Sequence, residues 1–209
     1  MKRDFDAEAA TWDQNEGRLQ MALAVADAMA RQLRPDGHEV VLDYGTGTGV
    51  VALRLAPLVK EVICADSSRG MLDAVEGKIR SSARSNARTL LLDLEQGQAE
   101  VALPQLDLVV SSMAMHHIAD TGALLRSFFA LLGPGGRVAL ADLDTEPGDF
   151  HADNTGVRHF GFDRASLAAL AEAAGFVEVA IDTAYRMKKA TSTGGEREFP
   201  IFLLTGRRP

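Results

Sequence analysis

The feature that most constrains this chain is a glycine-rich junction between an apolar segment and a helical pattern. Residues 40–56 read VVLDYGTGTGVVALRLA, with glycine at positions 45, 47 and 49. Glycine favours neither strand nor helix, so this spacing indicates a backbone with φ > 0 or the close approach of another molecule. A strand, a glycine-rich turn and a helix N-terminus in this order predict a ligand-binding turn in an α/β fold.

The rest of the chain alternates between strand and helix patterns. Strands are predicted at residues 39–44, 61–66, 88–93, 106–111 and 137–143, with helical patterns between most of them. This alternation predicts a parallel sheet with helices on both faces. After a helix at 165–174, two strand patterns follow each other without a helix, which predicts an antiparallel hairpin. We place the start of the last strand near Ile201, because Pro200 cannot donate a hydrogen bond within a central strand.

Composition narrows the class of protein. The 209 residues are 46% hydrophobic, enough for a buried core, and carry a net charge of −7, which disfavours a nucleic-acid partner. The N-terminus lacks the apolar core of a signal peptide, and no apolar run approaches the ~18 residues of a membrane span. Cys64 is the one cysteine, so neither a disulfide nor a thiol metal cluster is expected. We predict one cytoplasmic domain over residues 1–209, without a bound metal.

Three acidic residues end three successive predicted strands. They are Asp43, Asp66 and Asp93, and the carboxyl ends of strands are where open α/β sheets bind ligands. The glycines follow G-x-G-x-G rather than the dinucleotide pattern G-x-G-x-x-G, and Asp43 would repel a pyrophosphate. S-adenosylmethionine, with a sulfonium and an ammonium group, suits Asp43. Asp66 can accept hydrogen bonds from ribose hydroxyls and Asp93 from an adenine amino group. The alternative is that each aspartate caps a helix or lies in a turn.

Several segments in order carry a resemblance to a known family. VVLDYGTGTG, then Asp66, LLLDLEQG, LDLVVSSMAMHHIAD and LLGPGGRVALADL resemble class I S-adenosylmethionine-dependent methyltransferases. They are most similar to the small-molecule enzymes of ubiquinone and menaquinone biosynthesis, from about Leu19 to the C-terminus. The resemblance implies a Rossmann-like methyltransferase fold with a doubly wound, mostly parallel seven-stranded sheet. It also implies S-adenosylmethionine as cofactor and S-adenosylhomocysteine as product.

The resemblance also implies roles for individual residues. Asp43 and Gly45 would hold the methionine end of the cofactor, Asp66 the ribose, and Met71 would lie near the adenine. Asp93 and Leu94 would flank the adenine amino group, and Ser111 would lie under the sulfonium. Thr46, Gly47 and Ser67 complete this predicted cofactor site.

The methyl acceptor is less defined by the sequence. After the fourth strand, residues 111–114 read SSMA. By resemblance, enzymes that methylate base amines or glutamine amides carry Asn-Pro-Pro-Tyr there, and metal-assisted catechol-type enzymes carry an aspartate. Arsenic-methylating enzymes need several thiols, and this chain has only Cys64. A small organic O-, N- or C-acceptor remains.

Histidines supply the candidate catalytic groups. His116 and His117 follow the fourth strand, and His151 and His159 fall in an irregular segment, residues 144–161. A histidine of near-neutral pKa can take a proton from an acceptor, so His151 and His116 are the predicted catalytic residues. The alternatives are a structural role at the helix entry for His116 and His117, and loop packing for His151.

Two segments and the N-terminus are expected to cover the site. Residues 144–161 and 188–199 look irregular and are predicted to roof the acceptor pocket, with Lys188 and Lys189 either pairing with an acidic substrate or facing solvent. Residues 1–17, which include Trp12, form a leader that either closes over the cofactor or frays. The predicted function is methyl transfer to a small molecule. A non-catalytic S-adenosylmethionine-binding sensor or partner subunit and a nicotinamide oxidoreductase are the alternatives.

Overall fold

The structure is a computed structural model that describes residues 3–82, 85–96, 103–190 and 195–209. In these residues seven strands form one sheet: β1 (Val40–Tyr44), β2 (Glu61–Asp66), β3 (Ala87–Leu91), β4 (Leu106–Ser112), β5 (Leu132–Leu143), β6 (Val177–Ala190) and β7 (Glu196–Arg207). The α-helices of the same residues are α1 (Phe5–Glu8), α2 (Glu16–Leu33), α3 (Val50–Leu55), α4 (Arg69–Ser81), α5 (Thr121–Leu131) and α6 (Arg164–Ala173).

The strands lie in the order β3-β2-β1-β4-β5-β7-β6. The first five are parallel, and β7 runs antiparallel to both β5 and β6. The predicted doubly wound sheet with a terminal antiparallel hairpin is therefore confirmed. The order reverses between β1 and β4, which opens a crevice at their carboxyl ends.

Helices cover both faces of the sheet, because successive strand residues point to opposite sides. Val41 packs in the core beneath α2 and α3, and its neighbour Leu42 packs in the core beneath α5 and α6. Strands buried on both faces need continuous apolar runs, and β1 is buried along its whole length. Within the described ranges, no helix has the length and apolarity needed to cross a bilayer.

The terminal hairpin is longer than the sequence predicts. β7 begins at Glu196, so a start near Ile201 is wrong. Residues 188–190 and 196–199 are strand rather than irregular, and residues 191–194 of the predicted segment lie outside the described residues. Pro200 is tolerated because it lies just past the last paired residue of β5, where its carbonyl accepts from the Asp144 amide. The N and O atoms of a strand residue point to the same side, so the missing donor costs only the end of that ladder.

Two other predictions concern segments next to the site. β3 ends at Leu91, so Asp93 lies beyond the strand, before a 3-10 turn at Leu94–Gln96. Residues 144–161 contain neither helix nor strand, as predicted, apart from the isolated bridge between Asp144 and Phe162.

Candidate active site

A cavity opens at the carboxyl ends of β1, β2 and β4, where the strand order reverses. Its walls come from the leader, the glycine turn, the start of α4, the segment after β4, the loop after β5, and β6. The residues that line it include Arg3, Phe5, Trp12, Asp13, Arg18, Asp43, Gly45, Thr46, Gly47, Thr48, Asp66, Ser67, Met71, Leu92, Ser112, Met113, Ala114, His116, His117, Phe150, His151, Met187 and Lys189.

The glycine turn needs glycine for two different reasons. Gly45 has φ 67° and Gly47 has φ 54°, both in the left-handed region that side chains rarely adopt. A Cβ at Gly45 would overlap the Cβ of Ala114, so this glycine permits close packing against the segment after β4. A Cβ at Gly47 would instead project into the cavity, 3.9 Å from Nε1 of Trp12. Gly47 therefore keeps space open for a ligand.

Asp43 is a buried carboxylate at the end of β1. Only 1% of the residue is exposed, and its Oδ2 accepts a hydrogen bond of 2.7 Å from Oγ1 of Thr46. Burial raises the pKa of Asp43 to about 7, and the charge of Asp66 adds to this rise, while the Thr46 hydroxyl opposes it. A cationic ligand beside Asp43 would stabilise its charged form, so the site fits the ammonium group of S-adenosylmethionine.

Asp66, at the end of β2, accepts hydrogen bonds from two backbone amides and also faces the cavity. Its Oδ2 accepts from the Gly47 amide at 2.8 Å and its Oδ1 from the Ser68 amide at 2.9 Å, so it fixes the glycine turn and the entry to α4. Burial raises its pKa, although these amides oppose the rise. Each carboxylate oxygen can accept more than one hydrogen bond. Asp66 therefore retains acceptor capacity toward ribose hydroxyls in the cavity.

The structure brings together most, but not all, of the predicted cofactor residues. Met71 and Ser67 line the cavity, whereas Asp93, Leu94 and Ser111 are not among the lining residues. Ser111 is fully buried, and its Oγ donates to the Tyr44 carbonyl at 2.8 Å. The hydroxyl is thus engaged with β1, which does not support its predicted place under the sulfonium.

Sequence reasoning missed the residues that form the cavity wall after β4. Ser112, Met113 and Ala114 line this wall. Met113 has φ 57°, a conformation that is costly for a side chain of its size, and its amide donates to the Ala141 carbonyl at 2.9 Å. Such backbone strain cannot be read from the residue type alone.

His116 forms a buried pair with Asp142. Its Nδ1 lies 2.8 Å from Oδ1 of Asp142, and its backbone amide donates to Oδ2 of Asp142 at 3.1 Å. Burial by itself would raise the pKa of Asp142, but the contacts with His116 and nearby amides lower it. An ionised carboxylate only accepts, so Nδ1 of His116 carries a proton. Nε2 is buried without a hydrogen-bond partner among the described residues.

Two further imidazoles lie beside His116. The ring centroids of His117 and His151 are 4.1 and 4.9 Å from that of His116. Burial, with the neighbouring His116, lowers the pKa of His117 to about 4 and that of His151 to about 3, so both are neutral near pH 7. Nε2 of His151 is also buried without a partner in the described part of the chain. His159 lies elsewhere, with its Nε2 2.8 Å from the Ile118 carbonyl.

The histidine cluster is not arranged as a metal centre. Among the described residues, no three His, Cys, Asp or Glu side chains are placed so that they could hold a metal ion. The three rings pack against one another at tilted angles instead.

The leader lies across the cavity and is held by its acidic side chains. Asp13 accepts from the Thr48 hydroxyl at 2.6 Å and pairs with Lys78 at 2.6 Å. Asp6 accepts from the Ser68 hydroxyl at 2.5 Å and from the Gly70 amide at 2.7 Å. The leader is therefore ordered against the cavity, and its action as a lid stays a prediction.

Fold and site together define a class of protein. An α/β sheet with its pocket at the reversal of strand order, a glycine turn that keeps space open, and buried acids after β1 and β2 characterise a class I S-adenosylmethionine-dependent methyltransferase. Residues 17–181 match the family model described as a methyltransferase domain, and the chain belongs to this family. The identification made from sequence motifs is confirmed.

Individual relatives agree with this membership. An uncharacterized methyltransferase of Schizosaccharomyces pombe is 36% identical over 133 residues, which cover 58% of this chain and 47% of the relative. A ubiquinone/menaquinone biosynthesis C-methyltransferase of Vibrio vulnificus is 32% identical over 108 residues, 49% of this chain and 40% of the relative. The chain thus spans about half the length of the curated relatives it matches.

A solved structure shows the same fold over the whole chain. It is the complex between the Haloferax volcanii Trm112 methyltransferase activator and the putative methyltransferase, with a TM-score of 0.75 and 20% identity. The match covers 100% of this chain and 99% of that chain.

Proposed function

We propose that this chain transfers a methyl group from S-adenosylmethionine to a small-molecule acceptor in the cavity. One observation carries the proposal. The same cavity has buried carboxylates with raised pKa values at one end and imidazoles with unpartnered nitrogens at the other. Bound S-adenosylmethionine would supply the sulfonium-activated methyl group. A small acceptor and a cytoplasmic location belong to this proposal. So does the absence of a nucleic-acid partner, which the net charge of −7 supports.

The carboxylate end suits the cofactor. Asp43 would bind its ammonium group, the backbone at Gly45 and Gly47 would contact its methionine part, and Asp66 would accept from the ribose hydroxyls. Met71, which is 2% exposed, offers an apolar surface to the adenine. These assignments are supported by burial and by the lining of the cavity, and they retain the sequence-based prediction except at Ser111, Asp93 and Leu94, for which the cavity lining gives no support.

The imidazole end suits a protic acceptor. In the neutral form of His116 the lone pair is on Nε2, because Asp142 holds the proton on Nδ1. An acceptor hydroxyl or amine that donates to Nε2 is thereby oriented, and its proton can pass to His116 while the Asp142 carboxylate stabilises the resulting imidazolium. His151 lies beside His116 and would bind the same acceptor. Orientation in a closed cavity lowers the barrier to methyl transfer in addition to any proton transfer.

The proposal is tested first by binding and then by turnover. Calorimetry should show binding of S-adenosylmethionine and S-adenosylhomocysteine to the wild-type chain. Incubation with fractionated metabolite extracts should then release S-adenosylhomocysteine in at least one fraction. Absence of cofactor binding would refute the proposal, and binding without turnover in any fraction would assign the chain to a sensor or partner subunit.

His151→Asn tests the acceptor end. We expect turnover to fall at least about tenfold, as for the loss of a proton-transfer or positioning group. S-adenosylhomocysteine affinity should stay within about threefold, less than a typical hydrogen bond contributes. His159→Asn is the matched control, because His159 bonds to the Ile118 carbonyl and does not line the cavity. Equal turnover in His151→Asn and the wild type would remove His151 from the catalytic residues.

A further inference from the structure

The cavity wall carries both acidic and basic side chains. Asp43 and Asp66 supply carboxylates at one end, and Arg18 and Lys189 supply cations elsewhere in its wall. The whole chain has a net charge of −7, so a basic patch on this wall does not follow from overall composition. Charged groups facing a concave, partly dehydrated surface act more strongly on a ligand than the same groups in water.

Arg18 is held in an electrostatically unfavourable place. It lies in the first turn of α2, where the positive end of the helix dipole opposes a cation. Its guanidinium lies 3.8 Å from the centre of the Trp12 ring, and one nitrogen donates to the Trp12 carbonyl at 3.2 Å. Burial first, and then the charge of Arg3, lowers the pKa of Arg18. Stacking on Trp12 positions the side chain. The charges of Glu8 and Asp13 raise the pKa of Arg18, but burial and the charge of Arg3 outweigh them.

Lys189 is held beside the histidine cluster. Its ammonium group contacts the Phe150 carbonyl and lies 4.3 Å from the centre of the Phe150 ring. Burial first, and then the charge of Arg18, lowers its pKa. The residue that follows Phe150 is His151, so Lys189 is positioned at the proposed acceptor end.

The nearby carboxylates form their hydrogen bonds and ion pairs with groups other than Arg18 and Lys189. Among the described residues, no carboxylate lies within 4.0 Å of the Arg18 or Lys189 charge. Glu8 forms two hydrogen bonds of 2.7 Å with Arg3, and Asp13 pairs with Lys78. Glu146 accepts through Oε2 from the amides of residues 148–150. Its Oε1 is buried without a hydrogen-bond partner among the described residues, and its charge raises the pKa of Lys189, which burial and Arg18 lower.

We propose that the methyl acceptor is an anion whose carboxylate or phosphate group binds between Arg18 and Lys189. This inference rests on the proposed function and adds the charge of its substrate. An anionic group there would receive charge-assisted hydrogen bonds from both side chains. The remainder of the molecule would extend from Lys189 toward His151, which places its methyl-accepting atom at the imidazoles. The carboxylate of the cofactor has the same chemistry, so the experiment must separate the two sources.

The anion site is tested with inorganic phosphate as the probe. Trp12 is the only tryptophan in the chain, and its contact with Arg18 makes its fluorescence a reporter of this site. We expect a saturable change on titration with phosphate, with and without S-adenosylhomocysteine, and none with sodium chloride at equal ionic strength. Lys189→Met should weaken phosphate binding at least about tenfold, the effect of losing a charge-assisted hydrogen bond. Lys189→Arg should restore binding to within about threefold.

Lys188→Met is the matched control, because Lys188 is the exposed neighbour of Lys189 on β6. It should bind phosphate as the wild type does. A response that depends only on ionic strength, or one that is equal in Lys189→Met and Lys188→Met, would overturn the inference. Thermal unfolding of each variant without ligand verifies that the chains compared are folded.

The source of the anion is tested with two cofactor fragments. Calorimetry compares S-adenosylhomocysteine, which has the carboxylate, with 5′-methylthioadenosine, which lacks it. We expect Lys189→Met to bind both within about threefold of the wild type. Selective loss of S-adenosylhomocysteine affinity by tenfold or more would assign the anion to the cofactor and overturn the inference. Failure of the wild type to bind S-adenosylhomocysteine would refute the proposed function, while phosphate titration still decides whether the anion site exists.

Discussion

At the scale of single residues, the charge of Asp43 favours binding of a cationic ligand but lowers the stability of the ligand-free chain. Burial raises its pKa from 3.8 to about 7. A raised pKa means that folding favours the protonated form, so this contribution to stability is fully present below about pH 3.8 and is lost as the pH rises through about 7. Above neutrality, the ionised carboxylate therefore destabilises the chain until a cationic ligand binds.

Asp43→Asn should consequently stabilise the ligand-free chain while weakening the cofactor. At pH 8 we expect the free energy of unfolding to rise by about 1–4 kcal/mol, since one pKa unit corresponds to about 1.4 kcal/mol. The gain should shrink at pH 5, where Asp43 is largely protonated. Denaturant unfolding at the two pH values measures the gain, and calorimetry with S-adenosylhomocysteine measures the loss. Asp73→Asn, at an exposed position of α4, is the control. An unchanged or lower free energy of unfolding at pH 8 would contradict the conclusion that burial raises the pKa of Asp43.

Some site residues are visible in the sequence because their position follows from local patterns. Asp43 and Asp66 end apolar runs, so the strand pattern alone predicts that they meet at one edge of the sheet. The pairing of His116 with Asp142 spans 26 residues and depends on how β4 and β5 align, which no local pattern contains. Ser111 shows a related limit. Period-two alternation separates it from Ser112, but it does not reveal which of the two faces the cavity.

At the scale of elements, the leader is bound by a few polar contacts and by ring contacts such as that of Phe5 with His117. Segments with few buried contacts open at low free-energy cost. A single substitution in the leader is therefore expected to loosen it. Asp13 is central because it contacts both Thr48 and Lys78. These contacts are partly exposed, which limits what each contributes to global stability.

Asp13→Asn should loosen the leader without unfolding the domain. We expect hydrogen exchange in residues 5–14 to accelerate about five- to tenfold and the free energy of unfolding to change by less than about 1 kcal/mol. Exchange measured by mass spectrometry tests the first effect, and denaturant unfolding tests the second. Asp27→Asn removes an exposed ion pair with Arg54 and is the control. If residues 5–14 exchange as slowly as in the wild type, other contacts hold the leader.

The sequence pattern underestimates the length of the terminal hairpin. Residues 188–199 read KKATSTGGEREF. Their polar composition hides a strand pattern because the described residues of this segment before Phe199 lie mostly at the surface. Lys188 pairs with Glu198 and Lys189 with Arg197 across the two strands. Backbone pairing stabilises such a polar ribbon, and sequence periodicity reports burial rather than pairing. β1, β2 and β4 were predictable because both of their faces are largely buried.

At the scale of the whole molecule, the cavity joins parts of the chain that are distant in sequence. The leader, the glycine turn, α4 and β6 all line it. A ligand that binds there stabilises the folded chain according to its concentration relative to its dissociation constant.

Saturation with S-adenosylhomocysteine should therefore protect several elements together. At a hundred times the dissociation constant, the free energy of unfolding should rise by about 2.7 kcal/mol. Hydrogen exchange should slow in residues 5–14, 45–50 and 66–71. Helix α6 serves as the internal control, because it packs on the face of the sheet opposite α2 and α3. Protection confined to residues 45–50 would show that the cavity does not act as one unit.

The attachment of the leader also has a consequence for the order of events in turnover. Asp6 and Asp13 fasten it to Ser68, Gly70, Thr48 and Lys78, all beside the carboxylate end. A ligand at Gly47 would lie beneath this cover, so we expect the cofactor to enter first and its demethylated form to leave last. The opening rate of the leader would then limit the turnover rate, and product that stays bound would inhibit the enzyme. Initial-rate kinetics would reveal this as product inhibition by S-adenosylhomocysteine that is competitive against S-adenosylmethionine.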